Sequence, residues 1–329
     1  MIEVKNLTKK YGNHVAVSDL NFKIGGNRIY GLLGPNGAGK STTMNMMTGC
    51  LSATEGTVKI NGFDIYKEPL KAKRMIGYLP EMPPLYTDMT PDEYLVFVAR
   101  AKGVPYDQLF RQVAEVIDLT GLGAMKKRLI RSLSKGYKQR VGLAMAMLGN
   151  PDIIILDEPT VGLDPRQLIE VRDLIRDLGK SRTVIISSHI LSEISEVCEH
   201  VLILSEGRLV ANDTLESLQS LSLGRKVICL SVKGEEAAIR EVLEAEDAVT
   251  EYSYDESKAP AAGVIHFKAT VRPDTDPRDR IVLALASRSC PVVSISMEEN
   301  SLENVFLDLT SRRDEPPAEP ILPDEEVTE

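Results

Sequence analysis

The chain has 329 residues, 43% hydrophobic and 26% charged, which suits a globular protein with length for two domains. Its net charge of −9 at pH 7 argues against non-specific nucleic-acid binding, which needs a basic face. No apolar run reaches the ~18 residues that suggest a transmembrane helix. Met1-Ile2-Glu3-Val4-Lys5 does not open a signal peptide, so a membrane process would need another chain to supply the span.

Residues 2–5, 15–24 and 57–60 read as strands. Residues 28–33 read as a buried strand entering Gly34-Pro35-Asn36-Gly37-Ala38-Gly39-Lys40-Ser41, which satisfies G-x-x-x-x-G-K-[ST] at every fixed position. Successive backbone N–H groups in such a loop form a concave nest for phosphate oxygens. Its glycines let the backbone approach the anion with no Cβ in the way. Lys40 has the reach for β- and γ-phosphates, and the Ser41 hydroxyl can ligate Mg²⁺. Residues 41–48 read as the following helix, its N-terminus pointing at the anion. A chance Gly-rich turn is the alternative, and the strand–loop–helix context argues against it.

From about residue 82 to about 150 the periodicity is helical. Thr90-Pro91-Asp92-Glu93 is a capping box with Pro at the first helical position, opening a helix that runs through Arg100. A second helix covers residues 106–119, stopped near Gly121, and a third covers 139–148. Before the third lies Leu133-Ser134-Lys135-Gly136-Tyr137-Lys138-Gln139-Arg140, placed at a helix N-terminus and so able to meet phosphate.

From Pro151 the α/β pattern resumes. Residues 153–156 form a continuous apolar run, as in a strand buried on both faces of a parallel sheet. The run ends in Asp157-Glu158, two carboxylates at the strand end where open α/β sheets place ligands. Asp157 suits a Mg²⁺ ligand, direct or through water, and Glu158 suits polarisation of an attacking water. An ordinary acidic pair opening a loop is the bland alternative. Residues 184–186 and 201–204 read as strands, and Ser205-Glu206-Gly207 turns the chain into residues 208–210.

Beyond about residue 222 the expected elements are strand 226–232, helix 235–244, strands 249–254 and 263–271, helix 276–287 and strand 292–296. That βαββαβ order is ferredoxin-like and carries no catalytic constellation. Residues 301–310 read as an amphipathic helix. The Pro-rich, acidic stretch from Ser311 reads as a disordered tail. The expected organisation is therefore residues 1–220 as a nucleotide-binding domain with a helical subdomain at about 82–150, residues 221–310 as an accessory α+β domain, and a tail at 311–329.

The stretch Leu133 to Arg140 resembles the signature motif of the ATP-binding cassette (ABC) family, LSGGQ followed by QR. Other stretches resemble the same family in the expected order. Tyr11, in Lys9-Lys10-Tyr11-Gly12, is similar to the aromatic that stacks on adenine, and Asp157 to the Walker B Asp. Gly162-Leu163-Asp164-Pro165 resembles the D-loop, and His189, in Ser187-Ser188-His189, the switch histidine. There are departures. Lys135 stands where the signature usually has Gly, and Tyr137 where it has Gln. Glu81, in Gly77-Tyr78-Leu79-Pro80-Glu81, holds the Q-loop glutamine position. Cassettes resembling those of ABC-2-type exporters often read this way.

The resemblance implies an α/β, P-loop NTPase cassette with a parallel-sheet core, an antiparallel β part and a helical subdomain, followed by the small α+β domain. It implies an ATPase using ATP and Mg²⁺. Glu158 and His189 would be catalytic, and Tyr11, Gly34, Pro35, Asn36, Gly37, Ala38, Gly39, Lys40, Ser41 and Thr42 would bind nucleotide. Ser41, Asp157 and Glu81 would hold the metal. It further implies a head-to-tail homodimer or heterodimer with a second ABC cassette. Ser134 and Gly136 of one subunit would face the ATP held by Lys40 of the other, with Asp164 in the D-loop. A separate membrane permease would contact residues 81–89, placing the chain at the cytoplasmic face of the membrane, where it would drive export. The permease chooses the cargo, so the cargo is not legible here.

Two rival readings are a soluble ABC ATPase acting on nucleic acid or ribosomes and a regulatory, inactive cassette. The first type typically carries two cassettes or a long coiled-coil insertion, neither of which is present. Lys40, Asp157, Glu158 and His189 argue against the second. Taken alone, Tyr11 also reads as a core or edge-strand tyrosine and His189 as a strand-end cap. Cys50, Cys198, Cys229 and Cys290 lack metal spacing and read as free thiols, and His14, His200 and His266 carry no functional expectation.

Overall fold

The computed structural model describes residues 1–218, 226–254, 264–272, 275–299, 306 and 310. The chain forms two compact units, one spanning Met1–Leu215 and a second beginning at Glu216.

In the first unit, β1 (Ile2–Tyr11) and β2 (His14–Ile24) form a hairpin. The expected first strand stops at Lys5, but β1 runs on to Tyr11 through an irregularity beside Asn6. Asn6 has φ of 50° and donates its backbone N–H to Asn21 Oδ1 at 2.9 Å. Such a bulge breaks the period-two alternation from which a strand is read. The chain continues through β3 (Ile29–Leu33), α1 (Lys40–Met47), β4 (Glu55–Ile60), β5 (Phe63–Asp64), α2 (Pro69–Arg74) and β6 (Ile76–Leu79). The antiparallel sheet has order β2-β1-β4-β5. Its apolar face joins Met44, Met46 and Met47 of α1 in one core with Tyr30 and Leu32 of β3.

Three helices follow, α3 (Pro91–Ala101), α4 (Tyr106–Leu119) and α5 (Lys135–Met147), packed on one another. The capping box at Thr90 is formed: Glu93 N–H donates to Thr90 Oγ1, and Thr90 N–H donates to Glu93 Oε2 at 2.8 Å. Helix α5 starts at Lys135, four residues before the expected helix at 139. Ser134 caps it by accepting from Tyr137 N–H at 3.4 Å, so Lys135 and Gly136 form its first turn. Gly136 masked that start, because glycine reads as a breaker.

The second layer is completed by β7 (Ile153–Leu156), α6 (Pro165–Gly179), β8 (Thr183–Ser188), α7 (Leu191–Ser195), β9 (His200–Ser205) and β10 (Arg208–Thr214). Its sheet order is β10-β9-β3-β8-β7-β6, with β9, β3, β8, β7 and β6 parallel and β10 antiparallel at the edge. The sequence reading does not delineate α2, β6 or α6. Helix α6 buries little beyond Val171, Ile175 and Leu178, a narrow apolar stripe on a charged helix.

In the second unit, β11 (Lys226–Lys233), α8 (Glu236–Ala245), β12 (Val249–Tyr254), β13 (Val264–Val271), α9 (Arg278–Ser287) and β14 (Val292–Glu299) follow in βαββαβ order. The sheet is antiparallel with order β12-β13-β11-β14. Ile228, Leu230, Phe267 and Ala269 pack with Ile239, Leu243, Ile281 and Leu285 from the helices. The expected helix over 301–310, apart from residues 306 and 310, and the expected tail at 311–329 lie outside the described residues.

Lys102 ties α3 to α5. Its Nζ donates to the carbonyls of Met145, Ala146 and Leu148 at 2.8, 3.2 and 3.0 Å, satisfying helix-end acceptors that have no intrahelical donor. Burial pushes this amine down to about 8. Between that value and the ~10.4 of an unfolded lysine, the unfolded chain binds more proton, so stability from this site rises with pH. Replacing Lys102 by Met is expected to lower stability by about 2 kcal/mol at pH 7, the scale of hydrogen bonds to a charged donor. The gap in Tm between wild type and variant should widen from pH 7.5 to 9.5. A narrowing gap contradicts this account.

Candidate nucleotide site

Parallel pairing brings together residues far apart in the chain. Leu33 at the end of β3 lies opposite Ser188 of β8, and Leu156 at the end of β7 lies opposite Ile186. The loop 34–39, the pair Asp157-Glu158 and His189 therefore leave adjacent strand ends on the same edge, where open α/β sheets hold ligands.

The loop passes directly into α1, with Gly39 as N-cap at φ 96°. A Cβ at Gly39 would lie 2.8 Å from the Ala16 carbonyl oxygen, so geometry and space both demand glycine. Thr43 locks the turn, donating its backbone N–H and its Oγ1 to the Gly39 carbonyl, each at 2.8 Å. The first N–H groups of α1 have no carbonyl one turn earlier and face outward from the helix start, an arrangement suited to an anion. Ser41 and Thr42 are half-buried in that first turn.

Lys40 is only 6% exposed. Its Nζ donates to the carbonyls of Gly34 and Pro35 at 2.8 and 3.2 Å and lies 4.0 Å from Glu158 Oε1. Burial pushes the amine below the ordinary lysine value, and the carboxylates of Glu158, Asp157 and Glu81 oppose that shift. The carboxylate in reach of this cation is that of Glu158. Glu81 is exposed, but it is kept at this edge because Asp157 N–H donates to the Leu79 carbonyl at 2.8 Å, closing β6 onto β7.

Asp157 is 2% exposed and accepts from Ser187 Oγ at 2.6 Å. The same Ser187 Oγ accepts from Glu158 N–H at 2.8 Å. Glu158 has φ of 49°, a left-handed conformation that costs a non-glycine residue about 1 kcal/mol or more. Both of its carboxylate oxygens lie 3.0 Å from His189 Nδ1. A carboxylate only accepts, so Nδ1 carries the proton and donates, leaving Nε2 free to face a ligand. Ser187 was missed as a functional residue. Its signal was a small hydroxyl at the end of an apolar strand opposite the acidic pair, which becomes meaningful only once the strands are paired.

The remaining expected residues lie elsewhere. Tyr11 is 50% exposed at the tip of the β1–β2 hairpin, whose second strand meets Gly39, and Lys9 Nζ lies 5.2 Å over its ring. Ser134 and Gly136 open α5, where Gly136 is covered by the Gln167 side chain. Asp164 caps α6, accepting from Arg166 and Gln167 N–H at 3.1 and 2.9 Å. The unusual Lys135 stretches across Gly162, so the starts of α5 and α6 touch. Among the described residues no hydrogen bond or ion pair joins Ser134 or Gly136 to Lys40 or Ser41.

Residues 17–161 match the ABC transporter family. The chain is 32% identical over 317 residues to the linearmycin resistance ATP-binding protein LnrL of Bacillus subtilis (strain 168), covering 95% of this chain and 99% of that one. It is 34% identical over 311 residues to the bacitracin transport ATP-binding protein BcrA of Bacillus licheniformis, covering 94% and 97%. Among solved structures it resembles the dimeric post-hydrolysis state of the ATP-binding cassette MJ0796 bound to ADP and Pi. That match has a TM-score of 0.60 and 26% identity, over 65% of this chain and 99% of that one.

Removing the buried amine tests the anion site directly. Lys40→Ala is expected to weaken binding of a fluorescent ATP analogue by about 10–100-fold, the equivalent of one charge-assisted hydrogen bond. Unchanged affinity would place the phosphates away from this loop.

Proposed function

The chain belongs to the ABC transporter ATP-binding family, and from that premise we propose that it is the motor of an exporter, hydrolysing ATP to drive a separate permease. The observation that carries this reading is the convergence of Lys40, Asp157, Glu158 and His189 at the ends of adjacent parallel strands. The names of LnrL and BcrA, a resistance protein and a transport protein, support an outward transport role.

Bound ATP would stack its adenine on exposed Tyr11 and lay its phosphates in the nest of residues 34–42. The Lys40 amine would exchange its two loop carbonyls for β- and γ-phosphate oxygens. Glu158 would take a proton from the attacking water, with its carboxylate held by His189 Nδ1–H. His189 Nε2 would meet the γ-phosphate as a donor, which, with Nδ1–H already given to Glu158, requires both ring nitrogens to carry protons. The donors also fit a hard cation: Ser41 and Asp157 offer oxygen only, with Glu81 beside them. Among the described residues no group of three or more His, Cys, Asp or Glu forms a metal cage, and magnesium needs none, since it takes one or two carboxylates with phosphates and waters. Magnesium, when bound, neutralises charge on the β- and γ-phosphates.

One chain supplies half of each site in this reading. Ser134 and Gly136 would complete the site of a second cassette, as the dimeric state of MJ0796 supports. Among the described residues no helix is long and apolar enough to cross a membrane. The permease would meet the segment after Glu81, where Met82 is 84% exposed and Tyr86 packs on Tyr94 and Phe97.

Glu158→Gln is the experiment for this reading. It keeps size and polarity but removes the base, so ATP affinity should hold while steady-state turnover falls by ~10²–10⁴-fold. Turnover within about threefold of wild type would remove Glu158 from the role. Tyr11→Ala should raise KM with little change in kcat, because stacking binds ground and transition states alike. A fall in kcat with unchanged KM would exclude Tyr11 as a stacking platform.

A further inference from the structure

Residues 187–189, at and just past the end of β8, reach across to the chain that follows β7: Ser187 and His189 to the acidic pair, and Ser188, through Glu193 of α7, to Thr160. Ser187 Oγ donates to Asp157 Oδ1 and accepts from Glu158 N–H. His189 Nδ1 meets the Glu158 carboxylate. Between them, Ser188 Oγ donates at 2.8 Å to Oε2 of Glu193, and the same oxygen accepts from Thr160 Oγ1 at 2.8 Å. Ser188 Oγ also accepts from Ile190 N–H at 3.0 Å, so the turn around His189 is fixed on both sides. Thr160 and Ser188 are both buried, 8% and 3% exposed.

One oxygen of Glu193 therefore holds the residue two places after Glu158 and the residue just before His189. Glu158 needs such a hold, because its backbone lies in the left-handed region and relaxes unless its neighbours are fixed. Ser187 fixes it at its N–H, and Glu193 fixes the loop on the far side. Arg172 of α6 lines the same small cavity as Thr160, Ser188 and Glu193. It pairs with Glu196, and its buried Nε has no hydrogen-bond partner among the described residues.

We propose that Glu193 is a positioning residue for hydrolysis, setting the spacing of Glu158 and His189 by holding Thr160 and Ser188 on one carboxylate oxygen. The inference rests on the roles given above to Glu158 and His189. Glu193 touches no part of the nucleotide in this reading, so its loss should lower turnover and spare binding.

The test uses the full chain, with ATP-analogue affinity, kcat, KM and Tm measured for Glu193→Ala and Glu193→Gln. A second route removes the same bonds from the other side, with Thr160→Val and Ser188→Ala combined, in case Glu193→Ala fails to fold. Misplacing a reacting group by about 1 Å can cost ~10²-fold, so kcat should fall ~10–100-fold in Glu193→Ala with affinity unchanged within about twofold. Glu193→Gln keeps an acceptor oxygen and should retain turnover within about fivefold of wild type. Adding Glu193→Ala to the Thr160→Val, Ser188→Ala chain should change kcat by less than about twofold, since residues in one hydrogen-bond network are not additive. A kcat for Glu193→Ala close to wild type, while Glu158→Gln collapses, overturns this inference alone. Parallel losses of affinity, kcat and Tm in Ala and Gln variants also overturn it, because they mark a residue that only holds the fold. Wild-type turnover in Glu158→Gln would overturn the parent reading and this inference with it.

Discussion

The site depends on one buried amine held beside a carboxylate. Lys40 cannot be desolvated alone at low cost, since an ion taken out of water needs compensating charge and hydrogen bonds. Glu158, 4.0 Å away, supplies the nearest opposite charge, and the Gly34 and Pro35 carbonyls accept hydrogen bonds from the amine. Those partners come from segments separated by more than a hundred residues, and only the order β3-β8-β7-β6 brings them to one edge. The sheet is therefore the device that makes the site.

The same edge stores backbone strain. Gly39 and Glu158 both have positive φ, one where a Cβ has no room and the other where a side chain is required. Glycine removes the cost at the first position. At the second the cost persists, offset by Ser187 on the N–H and by the ties to Thr160 and His189. Strain of this kind survives only when the surroundings over-determine it. The surroundings here are Ser187 and His189 at the end of β8 and Glu193 on the single turn of α7.

Legibility followed locality. The loop 34–41 and the run 153–158 were readable because their signals are contiguous: glycines and a lysine at fixed spacing, and four apolar residues ending in two acids. The capping box at Thr90 was readable for the same reason. The start of α5 was not, because Gly136 and the unusual Lys135 hide a helix whose first turn is held by Ser134 and covered by Gln167. The upper half of β1 was obscured by the irregularity at Asn6. Ser187 and Glu193 could not be singled out at all. Their importance is a matter of which strand lies beside which, and a hydroxyl or a glutamate on a short helix carries no periodic or spacing signal. In the second unit the strands and two helices were legible as elements, and Ile228, Leu230, Phe267 and Ala269 of its sheet pack on Ile239, Leu243, Ile281 and Leu285 of its helices.

The most direct measurement is a crystal structure of the Glu158→Gln chain with Mg²⁺ and ATP. The account predicts two copies enclosing two nucleotides, with each γ-phosphate in reach of Lys40 and His189 of one copy and Ser134 of the other. Nucleotide bound away from Lys40, or fully enclosed by a single copy with Ser134 and Gly136 turned to solvent, would contradict it.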